Sequence, residues 1–387
     1  MNMTDSFIPF AVPSITEDEV QAAAEAIRSG WLTTGVNAVA FEREFAEYLE
    51  GEGLHAVAVN SATAALHLAV EAAGVGPGDE VLVPTWTFTA TAEVVRYVGA
   101  TPIFVDVNAE TLNIDLDAAS KKVTARTRAI IPVHFAGLPI PRDALGKFSK
   151  DHGLAVIEDA AHAFPVRDDG RFIGDSESAA VVFSFYATKT ITTGEGGMLV
   201  TRNEKIAERA RIMRLHGISR DVFDRYTSKT PAWQYSVVAP GFKYNLTDPA
   251  AAIGRVQLRR SEEMRQQRQA IATRYDAAFL NLPMTLPVGS VADLGHAHHL
   301  YVVRLKDEAP LSRDAFIEAL ADIGVGTSVH FIPLHMHPYW KETYDLRAEH
   351  YPVATRSFAS AVSLPLFADM TDLQVERVTQ AVRSLLS

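Results

Sequence analysis

Seven short apolar runs in the first half of the chain limit what it can fold into. They occupy 55–59, 80–84, 102–106, 129–133, 154–157, 180–184 and 198–201, separated by amphipathic segments such as 64–73 and 91–98. Runs apolar on both sides of the pleat belong to strands covered on both faces, as in a mostly parallel sheet. Repeated strand–helix units therefore predict an α/β domain built on a mostly parallel seven-stranded sheet. After Asp248-Pro249 a helical pattern runs to about Leu280, with Asp248 as a good N-cap and proline at the first helical position. Leu282-Pro283 ends it. The remainder carries a strand at 299–304, a helix opened by Ser312 and a closing helix at 372–382, which together predict a smaller α+β domain. The expected division is a large domain, 1–280, ending in a long interdomain helix, and a small C-terminal domain, 281–387.

A chain of 387 residues buries enough surface to need no staples. It has no cysteine, which excludes disulfides, thiol catalysis and cysteine-type zinc sites. A net charge of −11 argues against a nucleic-acid or anionic-membrane partner. The first ten residues hold Asp5 and no basic stretch followed by an apolar one, so no signal peptide is expected. The longest apolar run, 179–187, is broken by Ser184 and falls far short of the ~18 residues of a membrane span. A soluble, cytoplasmic protein is the expectation.

Two residues stand out chemically. Asp159 closes an apolar run in Glu158-Asp-Ala-Ala-His162, and Lys189 follows the next run in a loop that ends in Gly194-Glu-Gly-Gly197. In open α/β sheets ligands sit at the carboxyl ends of strands, where both residues fall. A lysine amine can hold an aldehyde as a Schiff base, and a carboxylate can keep a pyridine nitrogen protonated. Pyridoxal 5'-phosphate (PLP) needs both from a protein. Either residue alone has an ordinary reading, a loop carboxylate or a solvated lysine; the pair in this order points to PLP chemistry.

Other segments fit the same site without requiring it. Val59-Asn-Ser-Ala-Thr63 leads from a strand into a helix, so Ser61, Ala62 and Thr63 form either an anion site or a plain Ser/Thr N-cap. Ser184 can add a hydroxyl. Phe88 or Trp86, directly after a strand, can stack on a flat cofactor or simply pack in the core. No phosphate-binding glycine pattern of the dinucleotide or ATP type occurs. Histidines cluster at 296–299 and 330–337. With neither cysteine nor a helical His-x-x-x-His bearing a glutamate, no metal is expected. These histidines, His330 and His335 in particular, are read as hydrogen-bonding an anionic substrate, or as structural.

These motifs together resemble the DegT/DnrJ/EryC1/StrS sugar aminotransferases, fold-type I PLP enzymes acting on nucleotide-linked keto-sugars. The likeness runs from Ser29-Gly-Trp-Leu-Thr-Thr-Gly35 to Leu364-Pro-Leu-Phe-Ala-Asp-Met370. It implies that Lys189 carries PLP, Asp159 pairs with the pyridine nitrogen, Phe88 stacks on the ring, and Ser61, Ala62, Thr63 and Ser184 hold the phosphate. Asn245, in Lys243-Tyr-Asn-Leu-Thr-Asp248, matches a position that reaches the phosphate of the other subunit, implying a homodimer with shared sites. His162 stands where many members have glutamine beside the phenolic oxygen, which brings in a group able to titrate. A branch that replaces the lysine with histidine dehydrates instead; Lys189 sets this chain apart from it. Lys-Tyr-Asn-Leu-Thr-Asp and Leu-Pro-Leu-Phe are most similar to members that aminate the 4-position. The expected activity is amino transfer from an amino acid, glutamate for choice, to a nucleotide-linked 4-keto-6-deoxyhexose or a close relative. The alternatives are amination at the 3-position, a cyclic inositol-type ketone as substrate, or a silent sugar-nucleotide binder.

Overall fold

The computed structural model describes residues 7–219, 235–288 and 295–387. The first six residues of the N-terminal segment discussed above lie outside them. All seven apolar runs form strands of one sheet: β1 (His55–Val59), β2 (Glu80–Pro84), β3 (Thr101–Val105), β4 (Thr127–Ile130), β5 (Ala155–Asp159), β8 (Ala180–Ser184) and β9 (Gly197–Thr201). A small hairpin, β6 (Arg167–Asp168) with β7 (Arg171–Phe172), interrupts the series. The order across the sheet is β1-β9-β8-β5-β4-β2-β3. Neighbours from β8 to β3 pair parallel, and β9 alone is reversed, antiparallel to both β1 and β8. The carboxyl ends of six strands thus share one edge with the amino end of β9, where Gly197 lies opposite both Ser184 and Val59.

Alternating residues of these strands feed two cores, as the two-residue period requires. Val57, Val59, Val182 and Leu199 join a cluster with the helices Ala62–Ala72, Ala90–Tyr97 and Glu204–Met213. Ala58, Val181, Phe183 and Met198 face a second cluster, in which Phe183 packs between Phe45 and Phe164 at 5.3 and 5.6 Å. The run read as 129–133 stops as a strand at Ile130. Pro132 has no N–H to give the ladder, and Val133 keeps one bridge, to Asp159.

The long helix spans Asp248–Phe279, with a correction at its start: Thr247 is the N-cap, and Asp248 and Pro249 lie inside the first turn. The Asp248 carboxylate instead serves another helix. It accepts the backbone N–H groups of Asn37 and Ala38, each at 3.0 Å, and so caps Val36–Tyr48, whose own N-cap is the side-chain-free Gly35. Beyond it, β10 (Met284–Thr285), β11 (Tyr301–Leu305) and β12 (Ala361–Leu364) make an antiparallel sheet. Tyr301 and Val303 pack against Ile271, Tyr275 and Phe279 of the long helix and against the closing helix Asp372–Leu386. Leu300 and Val302 face the core of the large sheet. No described helix is long and apolar enough to cross a membrane.

Candidate active site

Asp159 is the last residue of β5 and is buried. Thr91 donates its hydroxyl to Oδ2 at 2.9 Å, and the Ala161 amide donates to Oδ1 at 3.1 Å. Thr87 Oγ1 lies 2.9 Å from that of Thr91 and extends the network. Among the described residues the carboxylate has no ion-pair partner, and burial pushes its pKa up despite these donors and the attraction of Lys189. A buried carboxylate in this state fits a cation supplied from outside the chain.

Lys189 lies in the loop between β8 and β9, held by its own N–H on the Tyr186 carbonyl (2.9 Å) and by Phe185, which exchanges backbone bonds with Gly196 and Thr193. Its Nζ is 3.3 Å from Nε2 of His299. Burial lowers the amine to about 8, with Asp159 opposing the fall and Arg268 adding to it. The amine is therefore freed for nucleophilic attack at far milder pH than a solvated lysine. Ala161, His162, Phe164, Ser184, Thr190, Ile191 and His299 line the pocket around it.

His162 is buried, and its Nδ1 accepts the Ala136 amide at 3.3 Å, which leaves the ring proton on Nε2. Burial holds its pKa well below the usual histidine range, with Lys189 and His330 adding to the effect. The titration anticipated for this position is thereby moved away from neutrality. His162 is a fixed neutral donor.

The helix Ala62–Ala72 starts at the same edge. Ser61 is its N-cap, its Oγ accepting the Ala64 amide at 3.1 Å, which leaves the hydroxyl proton able to donate elsewhere. The first-turn amides of Ala62 and Thr63 still have no intrahelical acceptor and point beyond the helix end. Ser184 ends β8 across from Gly197, and its Oγ accepts the Tyr186 amide at 3.3 Å. A Cβ at Gly197 would stand 2.6 Å from the Ala62 nitrogen, so only glycine lets the strand and the helix start meet.

The remaining candidates divide. Trp86 is core, packed on Phe135 at 5.6 Å. Phe88 is exposed and meets Phe331 at 5.5 Å, which in turn stacks on His162 at 5.9 Å. Asn245 bridges to Val59, two residues before Ser61, and its amide donates to Thr34 Oγ1 at 2.8 Å within the same chain. His330 is stacked on Phe10 at 5.0 Å, with Nδ1 3.0 Å from Ser363 Oγ. His335 is engaged within the chain. Its ring nitrogens are taken by Thr85 Oγ1 at 2.8 Å and Thr355 Oγ1 at 3.0 Å, and the ring is buried against Tyr351. His296 and His298 are stacked on each other at 4.2 Å. Thr91, His299 and Phe331 are the site residues that reading by motif missed; of these, only His299 had a visible signal, as the last of the 296–299 cluster.

Comparison with known proteins gives the family. Residues 13–383 match the DegT/DnrJ/EryC1/StrS aminotransferase family. The spore coat polysaccharide biosynthesis protein SpsC of Bacillus subtilis (strain 168) is 44% identical over 382 residues, 98% of this chain and 97% of that protein. Among solved structures, Spr1654 from Streptococcus pneumoniae in its PMP form superposes with a TM-score of 0.90 at 32% identity, covering 98% of both chains. DesV from S. venezuelae, in complex with a ketimine intermediate, gives 0.85 at 34% identity, covering 97% of this chain and 98% of its own. Helicobacter pylori PseC, an aminotransferase involved in the biosynthesis of pseudoaminic acid, gives 0.89 at 26% identity, covering 98% and 99%. The chain belongs to the DegT/DnrJ/EryC1/StrS family of PLP-dependent sugar aminotransferases.

Proposed function

We propose that this chain binds PLP at Lys189 and transfers an amino group from an amino acid, L-glutamate, to a nucleotide-linked 4-keto-6-deoxyhexose or a close relative. One observation carries the cofactor assignment: Asp159, buried at the end of β5 and with no ion-pair partner among the described residues, lies near enough to Lys189 to feel its charge, and that lysine amine is itself lowered to about 8. Asp159 would face the pyridine nitrogen, Lys189 would attach to the aldehyde carbon, and His162 would donate from Nε2 to the phenolic oxygen. The amides of Ala62 and Thr63, with the hydroxyls of Ser61 and Ser184, would take the phosphate, and Phe88 the ring face. When bound, the group supplies an electron sink for breaking bonds at the carbon beside the donor nitrogen. Asp159 holds its charge opposite that sink throughout. Lys189, with its amine free, would take a proton from the donor carbon at Nζ and pass it to the cofactor side, and an amine lowered to about 8 suits both the taking and the giving near neutral pH.

The sugar reading rests on the family and on the two motifs closest to 4-aminating members. Incubating the protein with PLP, glutamate and a panel of nucleotide-linked keto-sugars and inositol-type ketones, then locating the new amine by NMR, tests it. A product aminated at the 3-position, or turnover of the cyclic ketone alone, overturns the substrate. Failure to retain PLP, with no visible absorption or response to glutamate, would favour a silent binder. We also propose a homodimer. Ile15, Val20, Ile27, Leu32, Val36 and Val39 are all exposed on the N-terminal segment and its two helices, an apolar face that a second copy would cover. The division into 1–280 and 281–387 is likewise a proposal; the apolar cluster around Tyr301 and Phe316 is distinct from the cores of the large sheet, and it also takes in Ile8 and the end of the long helix.

A further inference from the structure

We infer that His299 is a positioning residue for Lys189: its Nε2 accepts a hydrogen bond from the free amine and fixes where Nζ points in the pocket. The inference rests on the assignment of Lys189 as the cofactor lysine. His299 lies two residues before the small-sheet strand Tyr301–Leu305, 110 residues from Lys189 in sequence, yet its Nε2 is 3.3 Å from Nζ. Its other nitrogen, Nδ1, is buried with no hydrogen-bond partner among the described residues. The contrast with His335 is informative. His335 has both nitrogens satisfied, through Thr85 and Thr355. Among the described residues, the one polar contact of the His299 side chain is the Lys189 amine.

The ring is held where it can serve. It packs on His162 at 4.4 Å between centroids. Its backbone is clamped by Arg268 of the long helix, which is buried. Nη1 of that arginine donates to the carbonyls of Leu366 at 2.9 Å, His298 at 3.3 Å and His299 at 3.5 Å. Arg268 thereby ties the Leu364-Pro-Leu-Phe segment to the histidine and to the pocket. The charged and titratable groups facing His299 are Lys189, His162, Arg268 and His330. Burial and these neighbours keep the ring neutral, its pKa pushed well down, so it is available as an acceptor. An ammonium has donors only, so Nε2 must be the bare nitrogen and Nδ1 carries the proton.

Two measurements decide it. In cofactor-free protein labelled with 15N-histidine, NMR should show His299 as the Nδ1–H tautomer with an unprotonated Nε2; an Nε2–H tautomer overturns the inference. This holds for the wild type and needs no variant to fold. Second, the rate of Schiff-base formation with added PLP, followed by visible absorption against pH, should rise through a midpoint near 8 in the wild type. His299→Phe keeps the ring that packs on His162 but loses the acceptor, so its midpoint should fall by about one pH unit and kcat of the loaded enzyme by about tenfold. His299→Gln puts an oxygen near the place of Nε2 and should stay close to the wild type in both. The reverse order, with Phe tolerated and Gln impaired, would show that the ring matters only by packing and would sink the inference. Equal behaviour of the two variants would sink it as well. Borohydride reduction and peptide mapping keep the questions apart. An adduct on a lysine other than Lys189 would refute the cofactor assignment, while the tautomer still reports on His299.

Discussion

Lys189→Arg isolates what the amine does at the scale of one residue. Arginine keeps the positive charge and much of the length, but a guanidinium stays protonated and neither attaches to an aldehyde nor takes a proton near neutrality. The variant should fold, show no borohydride-trappable bond, and lose about 10³-fold or more in amino transfer, because attachment and proton transfer fail together. Asp159→Asn tests the partner group. The amide oxygen can still accept from the Ala161 N–H while its NH2 meets Thr91 Oγ1 as a donor; the group carries no charge, so the protein should retain PLP while kcat falls on the order of 10²-fold, the usual cost of losing one fixed electrostatic stabiliser. Near-wild-type turnover in steady-state assays would remove Asp159 from its role. These two residues were legible because each follows an apolar run directly and carries chemistry few loops need. Thr91, 68 residues before Asp159, was not, and His299, 110 after Lys189, showed only as a member of a histidine cluster with no sign of its partner. Only the folded sheet edge brings them in, and a threonine on a helix gives no sign of the carboxylate it will meet.

At the scale of elements the tightest constraint is the meeting of β9 with the helix Ala62–Ala72. A Cβ at 197 would run into the nitrogen of Ala62 and the carbonyl carbon of Ser61, both 2.6 Å away and both backbone, so no side-chain rotation relieves it. Gly197→Ala should cost about 1–3 kcal/mol, seen as a lower thermal midpoint. It should also weaken PLP retention in equilibrium dialysis, since the displaced atoms are those proposed to hold the phosphate. A variant that melts lower but binds PLP as tightly as the wild type would separate the helix start from the cofactor. Asp248→Ala should destabilise by about 1–2 kcal/mol by uncapping Val36–Tyr48, a helix more than 200 residues away in sequence, and circular dichroism melts will show it. Local rules assigned that carboxylate to its own helix; the tertiary contact won. The strands were easier to place, because burial on both faces writes an unbroken apolar run. That same symmetry hides direction, which is why nothing in residues 198–201 signals that β9 runs against its neighbours.

The whole molecule poses the question of what Asn245 serves. In the single chain its amide is bound to Thr34, which also donates to the Leu246 carbonyl at 2.8 Å, so the Ser29–Gly35 and Lys243–Asp248 motifs form one unit at the end of β1. That unit lies beside the exposed apolar side chains of Leu32 and Val36, on the face proposed for a second copy. Sequence could mark both motifs but not their contact, which depends on about 200 intervening residues folding first. If Asn245 also reaches a partner's phosphate site, Asn245→Ala should weaken PLP retention. Mixing it with Lys189→Ala should then create hybrid dimers in which one site carries both lesions and the other carries neither. Activity should reappear on mixing, in proportion to the hybrid formed, and should be absent from the Lys189→Ala protein alone. If Asn245 acts only within its own chain, every site in the hybrid keeps one lesion and mixing restores nothing. Subunit exchange must be verified with differently tagged chains, after which a lack of complementation would confine Asn245 to bracing Thr34 and remove the shared-site dimer from the mechanism.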